Sequence, residues 1–152
     1  MAISPNDLFT SGQILTAVEC NQFPFGVVAI GTATSNDGFT TEEIEITASS
    51  FTAIANRYYR VTYFEPKIYV NTGTSEATMR IRLTDISGTV QQTAITVASG
   101  TYGQTATMSI IKTFTAGATV LVATLQISAG TGTAERSATQ SAYLLVEDIG
   151  PA

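Results

Sequence analysis

Apolar and small polar residues alternate along most of this chain with a period of two. In Tyr59-Arg60-Val61-Thr62-Tyr63 and Met79-Arg80-Ile81-Arg82-Leu83 the odd positions are apolar and the even ones carry Arg or Thr. Successive side chains of such stretches point to opposite faces of a sheet, and the odd ones turn toward a core. The stretches recur at regular spacing, separated by turn chemistry at Asn36-Asp37-Gly38, Asn71-Thr72-Gly73, Ser87-Gly88, Ser99-Gly100, Ala116-Gly117 and Gly130-Thr131-Gly132. The pattern predicts strands at 26–34, 42–47, 49–54, 57–65, 77–84, 89–97, 104–114, 118–128 and 142–149. Nine short strands without long helices imply an all-β fold, an antiparallel sandwich or jelly roll rather than βαβ units.

Two strands break the simple alternation. The middle of Ala118–Ile127 is apolar on both faces, and Ala142–Ile149 has the same character. A strand of this kind is expected to be covered twice, here by the opposing sheet and by another subunit. Two such strands meeting about a threefold axis would hide the surplus apolar surface, which makes Leu121, Leu144 and Val146 candidate interface residues of a homotrimer.

Ahead of Pro24 the period changes. Thr16 followed three residues later by Glu19 fits a capping box, and Ile14, Leu15, Val18 and Phe23 supply a short apolar face. One or two helical turns do not persist alone in water. Residues 1–24 therefore read as an arm that docks on its own domain, a sister copy or a larger assembly, with residues 25–152 as the β-domain. The arm begins without a basic segment, and no apolar run reaches the roughly 18 residues of a membrane span, so a soluble chain without a secretion signal is expected.

At 152 residues the chain fits one domain, which at this size buries roughly 70% of its unfolded surface and needs no disulfide or metal for support. A net charge of −5 with only seven basic residues disfavours nucleic-acid phosphates and anionic membranes as partners. Only 12% of residues are charged while about one in six is Thr, so neutral hydroxyls must form much of the surface.

The chemistry is sparse. Without histidine there is no Ser-His-Asp or Cys-His arrangement and no His-containing zinc site, and the lone Cys20 can form neither an intrachain disulfide nor a thiolate cluster. Cys20 reads as a small buried apolar side chain, lacking a nearby positive charge to activate it. Glu42, Glu43 and Glu45 read as a solvated strand face rather than an acid–base pair, and the adjacent Glu147 and Asp148 point to opposite faces. Asn36-Asp37-Gly38 lacks the dense acidic spacing of a calcium loop and reads as a turn; so does Gly130-Thr131-Gly132, which lacks the third glycine of a dinucleotide site. Arg57, Arg60, Arg80 and Arg82 are expected in ion pairs rather than in an anion-binding patch, and Tyr58, Tyr102 and Tyr143 as packing residues rather than sugar-stacking ones. No cofactor and no metal is expected.

The segments Gly26-Val27-Val28-Ala29-Ile30-Gly31-Thr32-Ala33-Thr34-Ser35-Asn36-Asp37-Gly38-Phe39-Thr40-Thr41 and Phe51-Thr52-Ala53-Ile54-Ala55-Asn56-Arg57-Tyr58-Tyr59-Arg60-Val61 resemble a family of small structural proteins of tailed bacteriophages, especially those of actinobacteria. The closing Tyr143-Leu144-Leu145-Val146-Glu147-Asp148-Ile149-Gly150-Pro151 is similar to the end of the same family, and Phe9-Thr10-Ser11-Gly12-Gln13-Ile14-Leu15-Thr16-Ala17 to a stretch at the N-termini of phage tail and fibre proteins. More loosely, the pattern resembles jelly-roll heads of the C1q and tumour-necrosis-factor type. The resemblance implies a trimeric, non-enzymatic virion component assembled in the host cytoplasm and contacting other tail or capsid proteins. It would be docked by Ile14, Leu15, Val18 and Phe23, at the tail tip or, alternatively, as a capsid decoration. A domain that recognises host cell-wall glycan is the competing binding reading, and a glycan-cleaving enzyme acting through Glu42, Glu43 and Glu45 the remote one.

Overall fold

The computed structural model describes residues 12, 14 and 16–152, without the side chains of Val18 and Glu19. A single helical turn, α1 (Ala17–Cys20), is closed by the Cys20 amide donating to the Thr16 carbonyl at 3.0 Å. Twelve strands follow: β1 (Gly26–Ala33), β2 (Asp37–Phe39), β3 (Glu43–Thr47), β4 (Phe51–Ala53), β5 (Arg57–Val70), β6 (Thr74–Leu83), β7 (Val90–Ser99), β8 (Gln104–Lys112), β9 (Gly117–Thr119), β10 (Leu121–Ile127), β11 (Gly132–Ala134) and β12 (Ala142–Pro151).

Their pairing follows one rule. β1 pairs with β12, β2 with β11, β3 with β10, β4 with β9, β5 with β8 and β6 with β7, all antiparallel. The chain is thus one long hairpin folded back at the β6–β7 turn. Additional pairing of β12 with β5 and of β10 with β6 rolls that hairpin into two main sheets, β1-β12-β5-β8, which β11 and β2 extend beside β5, and β3-β10-β6-β7, with β4-β9 as a separate two-stranded ribbon. A nested hairpin rolled into two facing antiparallel sheets is a jelly-roll β-sandwich, the fold class read from the sequence.

The core lies between the sheets. Tyr59, Val61 and Tyr63 of β5 and Met79 and Ile81 of β6 are at most 1% exposed, as the alternation predicts. Phe51, Tyr59 and Phe114 form an aromatic cluster with ring centroids 5.5–6.0 Å apart. β1 crosses so close to β3 that a Cβ on Gly31 would lie 2.3 Å from the Thr47 carbonyl oxygen, which only glycine avoids.

Three differences from the expected elements have physical causes. The three-residue strands β2 and β11 are too short to show a period and arise from pairing, β11 with β5 and β2 with β11. β5 runs past the proline at 66, where its pairing with β8 shifts between Glu65 and Ile68; a ladder tolerates a missing N–H at such an irregularity. The apolar run at 118–128 divides at Val120 into β9 and β10.

The outer face of β10 corrects a further expectation. Val122 is 1% and Thr124 0% exposed within the single chain. Glu42 accepts from Thr124 Oγ1 at 2.7 Å and pairs with Arg82 and Arg80 at 2.7 and 2.9 Å, placing a charged lid over this strand. The arginine stems cover apolar surface while their heads stay hydrated. β10 therefore needs no second copy to keep it dry.

Candidate functional site

The arm meets the domain at one buried arginine. Arg57 opens β5 immediately after Asn56, whose positive φ of 59° turns the chain out of β4. Its Nε and Nη2 donate to the two carboxylate oxygens of Asp148 at 2.5 and 2.6 Å, a bidentate pair with side chains 6% and 0% exposed. Two further bonds go to the arm: Nη2 to the Phe23 carbonyl at 2.6 Å and Nη1 to the Asn21 carbonyl. The Phe25 ring lies 4.0 Å from the guanidinium, a cation–π contact. Asp148 Oδ1 also accepts from the Phe25 and Gly150 amides at 3.3 and 3.0 Å. Burial works against the Asp148 charge, but the bonds from Arg57, Phe25 and Gly150 outweigh it and hold its pKa below the usual value. The bond to Asp148 likewise raises the pKa of Arg57. A planar guanidinium with five fixed donors suits this junction, where a lysine would satisfy fewer acceptors. A cleft of about 300 Å³ lined by Asn21, Phe25, Ile54, Asn56, Arg57 and Pro151 adjoins it.

The predicted docking residues fall into three groups. Ile14 is 88% and Phe23 37% exposed, while Leu15 and the Val18 side chain lie outside the described residues. Leu121, Leu144 and Val146 are each 0% exposed in the core. They have no surface to offer another copy, because the even positions of β12 and the odd ones of β10 face inward. Cys20 is exposed, contrary to the packing reading, since a single helical turn is too short to bury it.

Apolar side chains face outward on both sheets: Ile44 of β3 and Ile95 and Val97 of β7 are exposed on the second, and on the first a cluster gathers on β5 and β12. Phe64 of β5 stacks on Tyr143 of β12, their ring centroids 5.2 Å apart. Leu145 sits opposite Thr62 and Ile30, and Ile111 opposite Arg60. Cross-strand partners share a face. Ile30 and Ile111 are exposed, whereas Phe64, Tyr143 and Leu145 are half-buried. One ion pair, Arg60 to Glu147 at 2.8 Å, interrupts this surface.

All four expected arginines are in ion pairs. A further cluster was not foreseen: Arg136 donates to Glu45 at 2.6 Å and to both oxygens of Glu65 at 2.7 and 2.8 Å, and Glu65 accepts from Tyr63 Oη at 2.9 Å. Glu45 is therefore not on a solvated face. β10 pairs Ala123 with Ile46 and Thr124 with Ile44, leaving Glu45 as the extra residue of a β-bulge that turns it inward. A signal for Glu65 exists, because the inward series Tyr59, Val61, Tyr63 continues to it; Asp148 likewise extends Leu144 and Val146. Asn36 accepts from the Arg136 amide at 2.7 Å, and no group of three or more potential metal-ligating side chains occurs among the described residues.

The arrangement defines a jelly-roll β-sandwich with a clamped N-terminal segment. No family model and no curated protein matches the chain. Among solved structures it is similar to the Eiger TNF of S. frugiperda, at 10% identity over 84% of this chain and 95% of that one, with a TM-score of 0.49. It is also similar to the CBM22-1 xylan-binding domain of Paenibacillus barcinonensis Xyn10C, at 10% identity over 86% and 99% with a TM-score of 0.34. The module CBM6cm-2 of Cellvibrio mixtus lichenase 5A, in complex with cellotriose, matches at 14% identity over 79% and 96%, with a TM-score of 0.36.

Proposed function

We propose that this chain is a non-enzymatic structural component of a bacteriophage virion, a homotrimeric jelly roll held on the particle by its N-terminal arm at a minor tail or tail-tip position. The observation that carries the reading is the Arg57 clamp. By binding the Asn21 and Phe23 carbonyls to Asp148, it gives the arm a defined departure point from the sandwich. A short apolar arm binds weakly alone, but three copies held on one trimer engage with high effective concentration. The outward face around Phe64, Tyr143 and Leu145 supplies the apolar area for self-association, in place of the buried Leu121, Leu144 and Val146. The phage-like segments of the sequence supply the setting.

The test is incorporation. The intact chain should sediment as a trimer and appear at fixed stoichiometry in purified particles, with labelled antibody marking the tail rather than the head. A chain lacking residues 1–20 keeps the clamp and should remain trimeric yet be absent from particles. A monomer at micromolar concentration that is also missing from virions would end the proposal, and labelling over the head would convert it to capsid decoration.

A further inference from the structure

At the end of β5 opposite Arg57 lies a shallow pocket of about 160 Å³, lined by Lys67 and Tyr69 of β5, the Ser99–Gly103 turn and Glu135. Its parts are fixed by backbone contacts. The Glu135 amide donates to the Lys67 carbonyl at 2.9 Å, and the Gly100 amide to the Gly73 carbonyl at 2.8 Å. The Lys67 stem lies along Gly103 so closely that a Cβ there would come within 2.3 Å of it. Lys67 Nζ is thereby held 2.8 Å from Glu135 Oε2 and 5.5 Å from the centre of the Tyr69 ring. Tyr102, in the facing turn, is 73% exposed, a large apolar area for a tyrosine to leave in water.

We propose that this pocket is a saccharide site, stacking one ring of a neutral glycan on Tyr102, with the Lys67–Glu135 pair and Ser99 bonding its hydroxyls. The chemistry selects this class. Tyrosine faces accept the C–H face of a pyranose, while the rim presents an ammonium donor and a carboxylate acceptor within reach of one ring. Lys67 is already neutralised by Glu135, so an anion gains little, and a chain of net charge −5 does not attract nucleic acid. The volume is below the roughly 300–1,000 Å³ of deep small-molecule pockets, so the site holds one ring and leaves the rest of a glycan in solvent. The structure also separates the tyrosines weighed from sequence. Tyr143 is spent on Phe64 and Tyr58 is half-buried in β5, while Tyr102 is left facing the pocket.

The test uses the isolated protein and does not depend on the virion reading. Amide resonances are followed by NMR during titration with chitotriose, galactotriose and xylotriose up to tens of millimolar. Shifts confined to residues 67–69, 99–103 and 135 with at least one sugar, saturating at millimolar concentration, are expected. Tyr102→Ala, on an exposed turn, should keep the folded spectrum and weaken binding about tenfold or more, while Tyr143→Ala binds normally. Silence with all three sugars, shifts centred elsewhere, or unchanged binding by Tyr102→Ala would overturn the site, leaving the incorporation test above unaffected.

Discussion

Arg136 Nη2 lies 2.6 Å from Glu45 Oε2, and the other oxygen of that carboxylate is buried without a hydrogen-bond partner among the described residues. One guanidinium here serves two carboxylates, since Glu65 takes its remaining bonds. Burial drives the Glu45 pKa up; Arg136 offsets part of this, the charges of Asp37 and Glu65 add to it, and the value settles at about 7. A proton on the orphaned oxygen relieves both the desolvation and the excess negative charge.

The sign of the resulting pH dependence is unusual for a carboxylate. Because the folded pKa exceeds the ordinary 4.5, the group contributes full stability below 4.5 and loses it as pH rises through about 7. Glu42 and Asp148, whose pKa values are lowered, are ionised throughout this window and do not oppose the trend. Thermal melting should therefore fall between pH 5.5 and pH 8 by several degrees, on the order of 2 kcal/mol. Glu45→Gln should flatten the profile; a wild-type melting temperature that rises over this range would contradict the assignment.

Removing Arg136 strands two buried acids. Arg136→Met should cost about 3–5 kcal/mol in urea denaturation at pH 8, and distinctly less at pH 5.5, where Glu45 binds a proton. An equal cost at both pH values would show that the cluster titrates differently.

The clamp separates a local from a global effect. Arg57→Lys keeps a charge beside Asp148 but surrenders the planar fork, so the bonds to the Asn21 and Phe23 carbonyls weaken. Limited proteolysis should cut near residues 20–24 much faster in this variant, with a core domain that melts only a few degrees lower. Cleavage at wild-type rate would mean that the arm is held by something else.

Adjacent residues of β12 should behave oppositely. Leu144→Ala opens a cavity in the core and is expected to cost about 2–5 kcal/mol while leaving self-association intact. Leu145→Lys, on the outer face, should change stability by less than about 1 kcal/mol and shift sedimentation from trimer to monomer. If Leu145→Lys remains trimeric, the contact between copies lies on another surface.

The crossing of β1 over β3 yields a packing test. Gly31→Ala must push its methyl group against the Thr47 carbonyl, and a loss of about 1–3 kcal/mol is expected from thermal unfolding.

Alternation alone carried the fold class and most strand positions, since burial on one face imposes a period of two wherever a strand is long enough to show it. Charge composition carried the pairing of Arg57, Arg60, Arg80 and Arg82, because twelve acids against seven basic residues leave few arginines unanswered. Which partner each arginine takes was decided by tertiary structure: Arg57 meets Asp148 from 91 residues away, and Arg82 meets Glu42 from 40. Periodicity specifies which face a side chain occupies but not which strand lies beside it. The nested roll brings those strands together, and a single inserted residue at the β3 bulge is enough to carry Glu45 from the expected solvent face to the core. The same limit explains β10, whose two-sided apolar pattern correctly demanded double cover. Only the folded chain reveals that Glu42, Arg80 and Arg82 supply the second layer, because long charged side chains shield apolar surface in a way that a hydrophobic pattern cannot register.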